Sequence, residues 1–269
     1  MQKLLHRWKQ YKYRFVPWLI LNLKNRSLRS VTDKETDCVI SDEDFQAFIT
    51  NFLAKLHQLS DEKLQMASQQ DQHNEGLRLL RNLAGFTVER APSVLTSGGT
   101  GVKVTSGVIP KFCVTSLYPG LIYEPQDPIL FQSIGNPFIF RCADGILLDG
   151  NDRALSRFLF KSCRGRDSCW PLSACDDSWL TPYPRCPLNV GQYVNNQSKQ
   201  YPANVAYQEF NLPIDFPARL RQYLPNNHYT PSFIAEEGLA RQLRVVALVS
   251  LREIHCGEEL FSSYFTVVR

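Results

Sequence analysis

No stretch of this 269-residue chain approaches the roughly 18 apolar residues that a bilayer-spanning helix needs. The longest candidate, Phe15 to Leu23, is interrupted by Pro17 and Asn22, so no membrane partner is expected. The eight cysteines (Cys38, Cys113, Cys142, Cys163, Cys169, Cys175, Cys186, Cys256) form no C-x-x-C pair. Four fall between Cys163 and Cys186, with gaps of five, five and ten residues. These do not match the short paired spacings of structural zinc sites, and no metal is expected. Five scattered histidines (His6, His57, His73, His228, His255) form no H-x-x-x-H or H-E pattern, which speaks against hydrolase and metalloprotease chemistry. No G-x-G-x-x-G follows a strand, so a doubly wound nucleotide-binding fold is disfavoured. Nor does the start show an uninterrupted apolar run with a small-residue cleavage site. An intracellular, reduced protein of the nucleus or cytoplasm is expected.

Acid is missing from one end. The first 32 residues hold eight of the 30 Lys/Arg (Lys3, Arg7, Lys9, Lys12, Arg14, Lys24, Arg26, Arg29) and no Asp or Glu. The remainder has 22 basic against 26 acidic residues, so nucleic acid is not indicated as a partner of the body. Within the basic stretch Leu4, Trp8, Tyr11 and Phe15 recur at helical spacing, which describes an amphipathic helix ending near Pro17. Such a helix can pack with its cations solvated, direct the chain to mitochondria, or meet nucleic acid or an acidic surface; the sequence leaves these open.

With 43% apolar and 21% charged residues, the chain can build a soluble core. Residues 1–90 read as a helical region. Ser41 and Asp44 resemble a capping box ahead of the stripe Phe45, Phe48, Ile49, Phe52, Leu53 and Leu56. Another helix is expected from Ser60 towards Leu83. After Ala84 short β-rich runs follow: Val102–Thr105, Cys113–Tyr118, Pro137–Arg141, Gly145–Leu148, Asn204–Phe210 and Arg244–Leu251, mostly punctuated by Gly or Pro. The fold class is therefore mainly β, α+β, with a helical N-terminal region. Residues 152–190, rich in Cys, Ser, Trp and Pro, read as an irregular insert over the β core, and no internal repeats are present.

Three short constellations carry the chemistry. The first is Gly99-Thr100-Gly101-Val102, followed by Ile109-Pro110 and Tyr118-Pro119-Gly120. The second is Gly191-Gln192-Tyr193-Val194-Asn195-Asn196, followed by Ala203-Asn204-Val205 and a strand containing Tyr207. The third is Gly257-Glu258-Glu259-Leu260, followed by Phe261-Ser262-Ser263-Tyr264. Each alone is a turn or a strand end; their order over some 170 residues is more specific.

In that order the blocks resemble the SET domain of lysine methyltransferases, whose pattern is G-x-G-[VI], then R-F-[IV]-N-H-S-C-x-P-N, then G-E-E-L-x-x-[DN]-Y. The likeness covers residues 91–269. A narrower one runs over nearly the whole chain, including Tyr11-Lys12-Tyr13-Arg14-Phe15-Val16-Pro17-Trp18 and the stretch from Gln132 to Asp152. The resemblance implies short β-sheets with knot-like threading of the C-terminal segment, and methylation of a protein lysine with S-adenosylmethionine as cofactor. Gly99, Thr100, Gly101, Asn195, Asn196 and Tyr264 would hold the cofactor. Tyr264 would face both cofactor and lysine as the central catalytic residue, and Tyr118 and Tyr207 would line the lysine channel. An aromatic channel disfavours the lysine's charge by desolvation and so helps to yield the neutral amine. Gln192, Asn196 and Gln197-Ser198 stand where the family has Arg, His and Ser-Cys, so the family's zinc-bound closing segment is not expected. A SET-fold interaction module without activity is the alternative.

Overall fold

The computed structural model describes residues 28–31, 38–63, 68–96, 98–169, 173–231, 242–263 and 265–268. The amphipathic segment around Leu4 to Phe15 lies outside the described residues, of which strand β1 (Leu28–Val31) is the first element.

Helix α1 (Asp42–Lys63) starts where Ser41 and Asp44 indicated. The Asp44 amide donates to Ser41 Oγ at 3.0 Å, and that hydroxyl donates to the Asp44 carboxylate at 2.8 Å. Asp42, Glu43 and Asp44 place negative charge at the positive end of the helix. Phe45, Ile49, Phe52, Leu53 and Leu56 all point into the core. The second helix does not begin at Ser60, because α1 continues through it. Helix α2 (Gln69–Ala84) is instead capped by Ser68, with Asp71 completing the reciprocal box.

Short strands follow: β2 (Phe86–Pro92), β3 (Thr100–Ile109), β4 (Val114–Tyr118) and β5 (Gly120–Tyr123). Helix α3 (Leu130–Ser133), β6 (Ile139–Arg141) and β7 (Leu147–Asp149) lead to α4 (Ala154–Asp167). Next come β8 (Asn195–Asn196), β9 (Val205–Leu212), α5 (Ala218–Arg221), β10 (Asn226–His228) and β11 (Leu243–Ser250). The chain closes with β12 (Ile254–His255), β13 (Phe261–Ser262) and β14 (Phe265–Val268).

These form small sheets in the orders β12-β3-β2, β4-β11-β9, β10-β5-β7-β6, β8-β13 and β1-β14. The longest antiparallel register runs from Leu243↔Leu212 to Ser250↔Val205. Helix α1 covers this sheet, and the Phe45 ring stacks on Phe210 with centroids 3.8 Å apart. Gln208 fastens the two layers: its Oε1 accepts from the amides of Val39 and Ile40, and its Nε2 donates to the Ile40 carbonyl at 2.6 Å. One large apolar core therefore joins helices and sheets.

The 152–190 insert is less irregular than its composition suggested. It contains the 14-residue α4, and Phe160, Cys163, Cys175, Trp179 and Leu180 build a second small core with Leu121 and Tyr123. Phe160 meets Trp179 edge to face at 5.0 Å. Leu155 and Phe158 stay exposed on α4 and blur its apolar period. No helix among the described residues is long and apolar enough to cross a membrane.

Candidate functional site

The third block is threaded between the first two. Strand β13 runs parallel to β8, with Phe261 opposite Asn195 and Ser262 opposite Asn196. On its other side Leu260 donates to the Val102 carbonyl at 2.8 Å, next to the Gly99–Gly101 turn. Asn204 locks the register with three bonds: its amide donates to Phe261 O, its Oδ1 accepts from Phe261 N, and its Nδ2 donates to Glu259 O. Two turns far apart in sequence are thus held together by a strand from a third region.

Glu259, 5% exposed, sits where they meet. Its Oε1 accepts from Ser93 Oγ at 2.7 Å and Asn195 Nδ2 at 3.1 Å, and its Oε2 accepts from the Val94 amide at 2.7 Å. Asn195 Nδ2 also donates to the Thr100 carbonyl at 3.1 Å. The glycines of the first block now separate in role. A Cβ on Gly101 would collide with the Glu259 carboxylate and come within 3.3 Å of Asn195 Nδ2, so protein fills that side. Gly99 has φ +58°, and among the described residues no heavy atom lies within 4 Å of where its Cβ would stand. It turns a left-handed backbone, which glycine adopts without strain, towards open space.

Tyr118 and Tyr207 come together with Phe140. Tyr118 meets Tyr207 edge to face at 6.0 Å, and Phe140 lies 4.9 Å from Tyr207. Both tyrosines are buried, at 4% and 6% exposure, and Tyr118 Oη donates to the Phe138 carbonyl at 2.7 Å. Gln192, where the family has Arg, is buried with neither amide atom partnered among the described residues. Next to it Tyr193 donates to Asp152 at 2.6 Å; burial, reinforced by that bond, pushes its phenol up to about 12. Tyr264, the expected centre of the site, lies outside the described residues. Ser262, two positions earlier, is the residue paired with Asn196.

Two other clusters were missed in the sequence. Asp149 is buried, and its Oδ1 accepts from Asn136 Nδ2 at 2.8 Å and the Asn151 amide at 3.2 Å. Burial raises its carboxyl to about 6, against the opposing pull of hydrogen bonds from Ser156, Asn136 and Asn151. Cys142, Asp144 and Glu209 bring possible metal-ligand atoms within 4.8 Å of one another. Arg244 already occupies that position: it pairs with Asp144, with Glu209 at 2.7 Å, and with Asn211 at 2.8 Å. A cation added beside a buried guanidinium would be repelled.

A β-rich body whose last strands thread between a Gly-x-Gly turn and an Asn-Asn strand is the architecture expected of a SET domain. The human SET domain-containing protein 9 is 45% identical over 299 aligned positions, covering 100% of this chain and 98% of that protein. Its counterpart from Pongo abelii is 43% identical over 271 positions, 90% of this chain and 97% of that protein. The chain belongs to the SET domain-containing protein 9 family. The narrower likeness over nearly the whole chain is thereby borne out. No family model matches the chain. Among solved structures, one described as ctPRC2 in an autoinhibited conformation bound to S-adenosylmethionine aligns with TM-score 0.35 and 14% identity, over 77% of this chain and 19% of that one.

Proposed function

We propose that the chain is an S-adenosylmethionine-dependent methyltransferase acting on a lysine of a protein substrate, with residues 91–269 as the SET domain, residues 1–90 appended to it and 152–190 inserted in it. The observation that carries this reading is the convergence of Gly99–Gly101, Asn195–Asn196 and Glu259–Ser262 on one place, with Gly99 open at positive φ. Backbone can approach a ligand closely where no side chain intervenes, as at Gly99. Thr100 and Gly101 continue that edge, and Asn195 and Asn196 supply amides and backbone groups beside it.

When bound, the cofactor supplies a methyl group on a sulfonium with a very good leaving group. The protein's own task is then to bind, orient and control charge. Tyr118, Phe140 and Tyr207 form an apolar wall that disfavours a charged amine, so a lysine held there gives up its proton more readily. Tyr264 is assigned to orient the amine through its hydroxyl, following the family pattern. The nearly complete burial of Tyr118 and Tyr207 favours a second reading, a SET-fold interaction module without activity.

Titration calorimetry with S-adenosylmethionine and its demethylated product separates the two. Saturable binding of both, followed by radiolabelled methyl transfer to lysine in proteome lysates, supports the enzyme. No binding to the folded chain rejects it. Tyr264→Phe should retain part of the cofactor binding and lower methyl transfer by about tenfold or more, the scale of one lost oriented hydrogen bond in a site.

A further inference from the structure

We infer that Glu259 is a positioning residue for the cofactor seat, acting through the 93–101 loop and through Asn195; this rests on the methyltransferase reading above. A carboxylate is an acceptor only, and this one is met by donors on both oxygens: Ser93 Oγ and Asn195 Nδ2 on one, the Val94 amide on the other. None of these partners is near it in sequence. Ser93 begins the turn that leads to Gly99, and its amide closes that turn by donating to the Gly99 carbonyl at 2.9 Å. Its hydroxyl also accepts from the Leu95 amide at 3.1 Å, so the Glu259 carboxylate terminates a short relay that shapes the loop.

The effect on Asn195 is more specific. Glu259 Oε1 and the Thr100 carbonyl are both acceptors, and both are met by the same nitrogen, Asn195 Nδ2. The amide therefore cannot turn over without facing oxygen with oxygen. Its two N–H bonds are used inside the protein, and Oδ1 is left as the acceptor offered to a ligand N–H. Gly101 is the complement of this arrangement, since any side chain there would displace the carboxylate. Neutral glutamine cannot replace Glu259 without setting its own NH2 group against one of the donors, Asn195 Nδ2 or the Val94 amide.

The test uses full-length Glu259→Gln and Ser93→Ala, with Phe52→Ala as a control that loosens the helical layer without touching Glu259 or its hydrogen-bond partners. S-adenosylmethionine affinity is read by calorimetry, and amide exchange is read by mass spectrometry without ligand. Hydrogen bonds to a charged group are worth about a factor of ten or more each. Glu259→Gln is thus expected to weaken cofactor binding well over tenfold and Ser93→Ala, which removes one such bond, about tenfold. Exchange should quicken in 93–101 and 195–197 and stay unchanged in α1. Phe52→Ala should lower the melting temperature but leave affinity within twofold. If wild type binds and Glu259→Gln binds equally well, with unchanged exchange in the loop, the role of Glu259 is overturned while the enzyme reading stands. If wild type binds no cofactor, the enzyme reading fails first and takes the role with it. If Phe52→Ala weakens binding as much as Glu259→Gln does, the effect is one of general stability and the role is rejected.

Discussion

Asp149 is a carboxyl with little water around it, and it holds its proton far longer than an exposed aspartate would. Its value rises from 3.8 to about 6, chiefly because burial penalises the charged form. The folded state therefore binds more protons than the unfolded chain between these two values. The contribution of Asp149 to stability is full below 3.8 and is lost as pH rises through 6. Two units correspond to about 3 kcal/mol at 1.36 kcal/mol per unit. Urea unfolding of wild type and Asp149→Asn at pH 4, 5, 6 and 7 should show the variant gaining on wild type as pH rises, by up to that amount. Parallel curves would mean that the carboxyl titrates normally.

At the scale of elements, the register of β13 depends on one side chain. Asn204 makes three hydrogen bonds to the Glu259–Phe261 stretch, two of them through its buried amide group. Truncation leaves the Phe261 amide and the Glu259 carbonyl without partners in a dry environment, at about 1–3 kcal/mol for each stranded group. Asn204→Ala should lower the unfolding free energy by about 2–5 kcal/mol and raise amide exchange in residues 259–263 before the rest of the sheet. Unchanged exchange there would show that backbone pairing alone holds the strand.

Elements also show where the sequence could be read and where it could not. Strands β3, β4, β9 and β11 fall where β-rich runs bounded by Gly, Pro or polar turns placed them, because their pattern is local. Strand β2 was overlooked, since Phe86-Thr87-Val88 runs on into Glu89, Arg90 and Pro92 and only its first three residues are fully buried. Helix α4 was hidden by Leu155 and Phe158, apolar residues left on its wet side. The Gly-x-Gly and Asn-Asn blocks were legible because order and spacing carry them. Glu259 stands in the third block, but its role as a buried acceptor was not legible, because its partners Ser93 and Asn195 lie 166 and 64 positions away. The one usable hint was Gly101, a strand residue whose missing side chain demanded a neighbour.

Across the whole molecule, helices and sheets share one apolar interior, so the N-terminal helices cannot be treated as an ornament on the β body. Phe45 makes the closest ring contact across this boundary, stacked on Phe210 at 3.8 Å. Phe45→Ala should cost about 3–5 kcal/mol, the range for emptying an aromatic-sized space. In urea the helical signal and the tryptophan fluorescence should shift to the same lower midpoint. Separate midpoints would show that α1 and the β body unfold independently.

The late arrival of the Glu259–Ser262 stretch has a consequence for how the protein comes into being. A ribosome has delivered the glycine turn and the asparagine pair long before it delivers the segment that knits them, so no nascent intermediate owns the completed pairing of β13 with β8. Any ligand that binds only the fully knit form would withdraw chains from the incomplete ensemble by mass action.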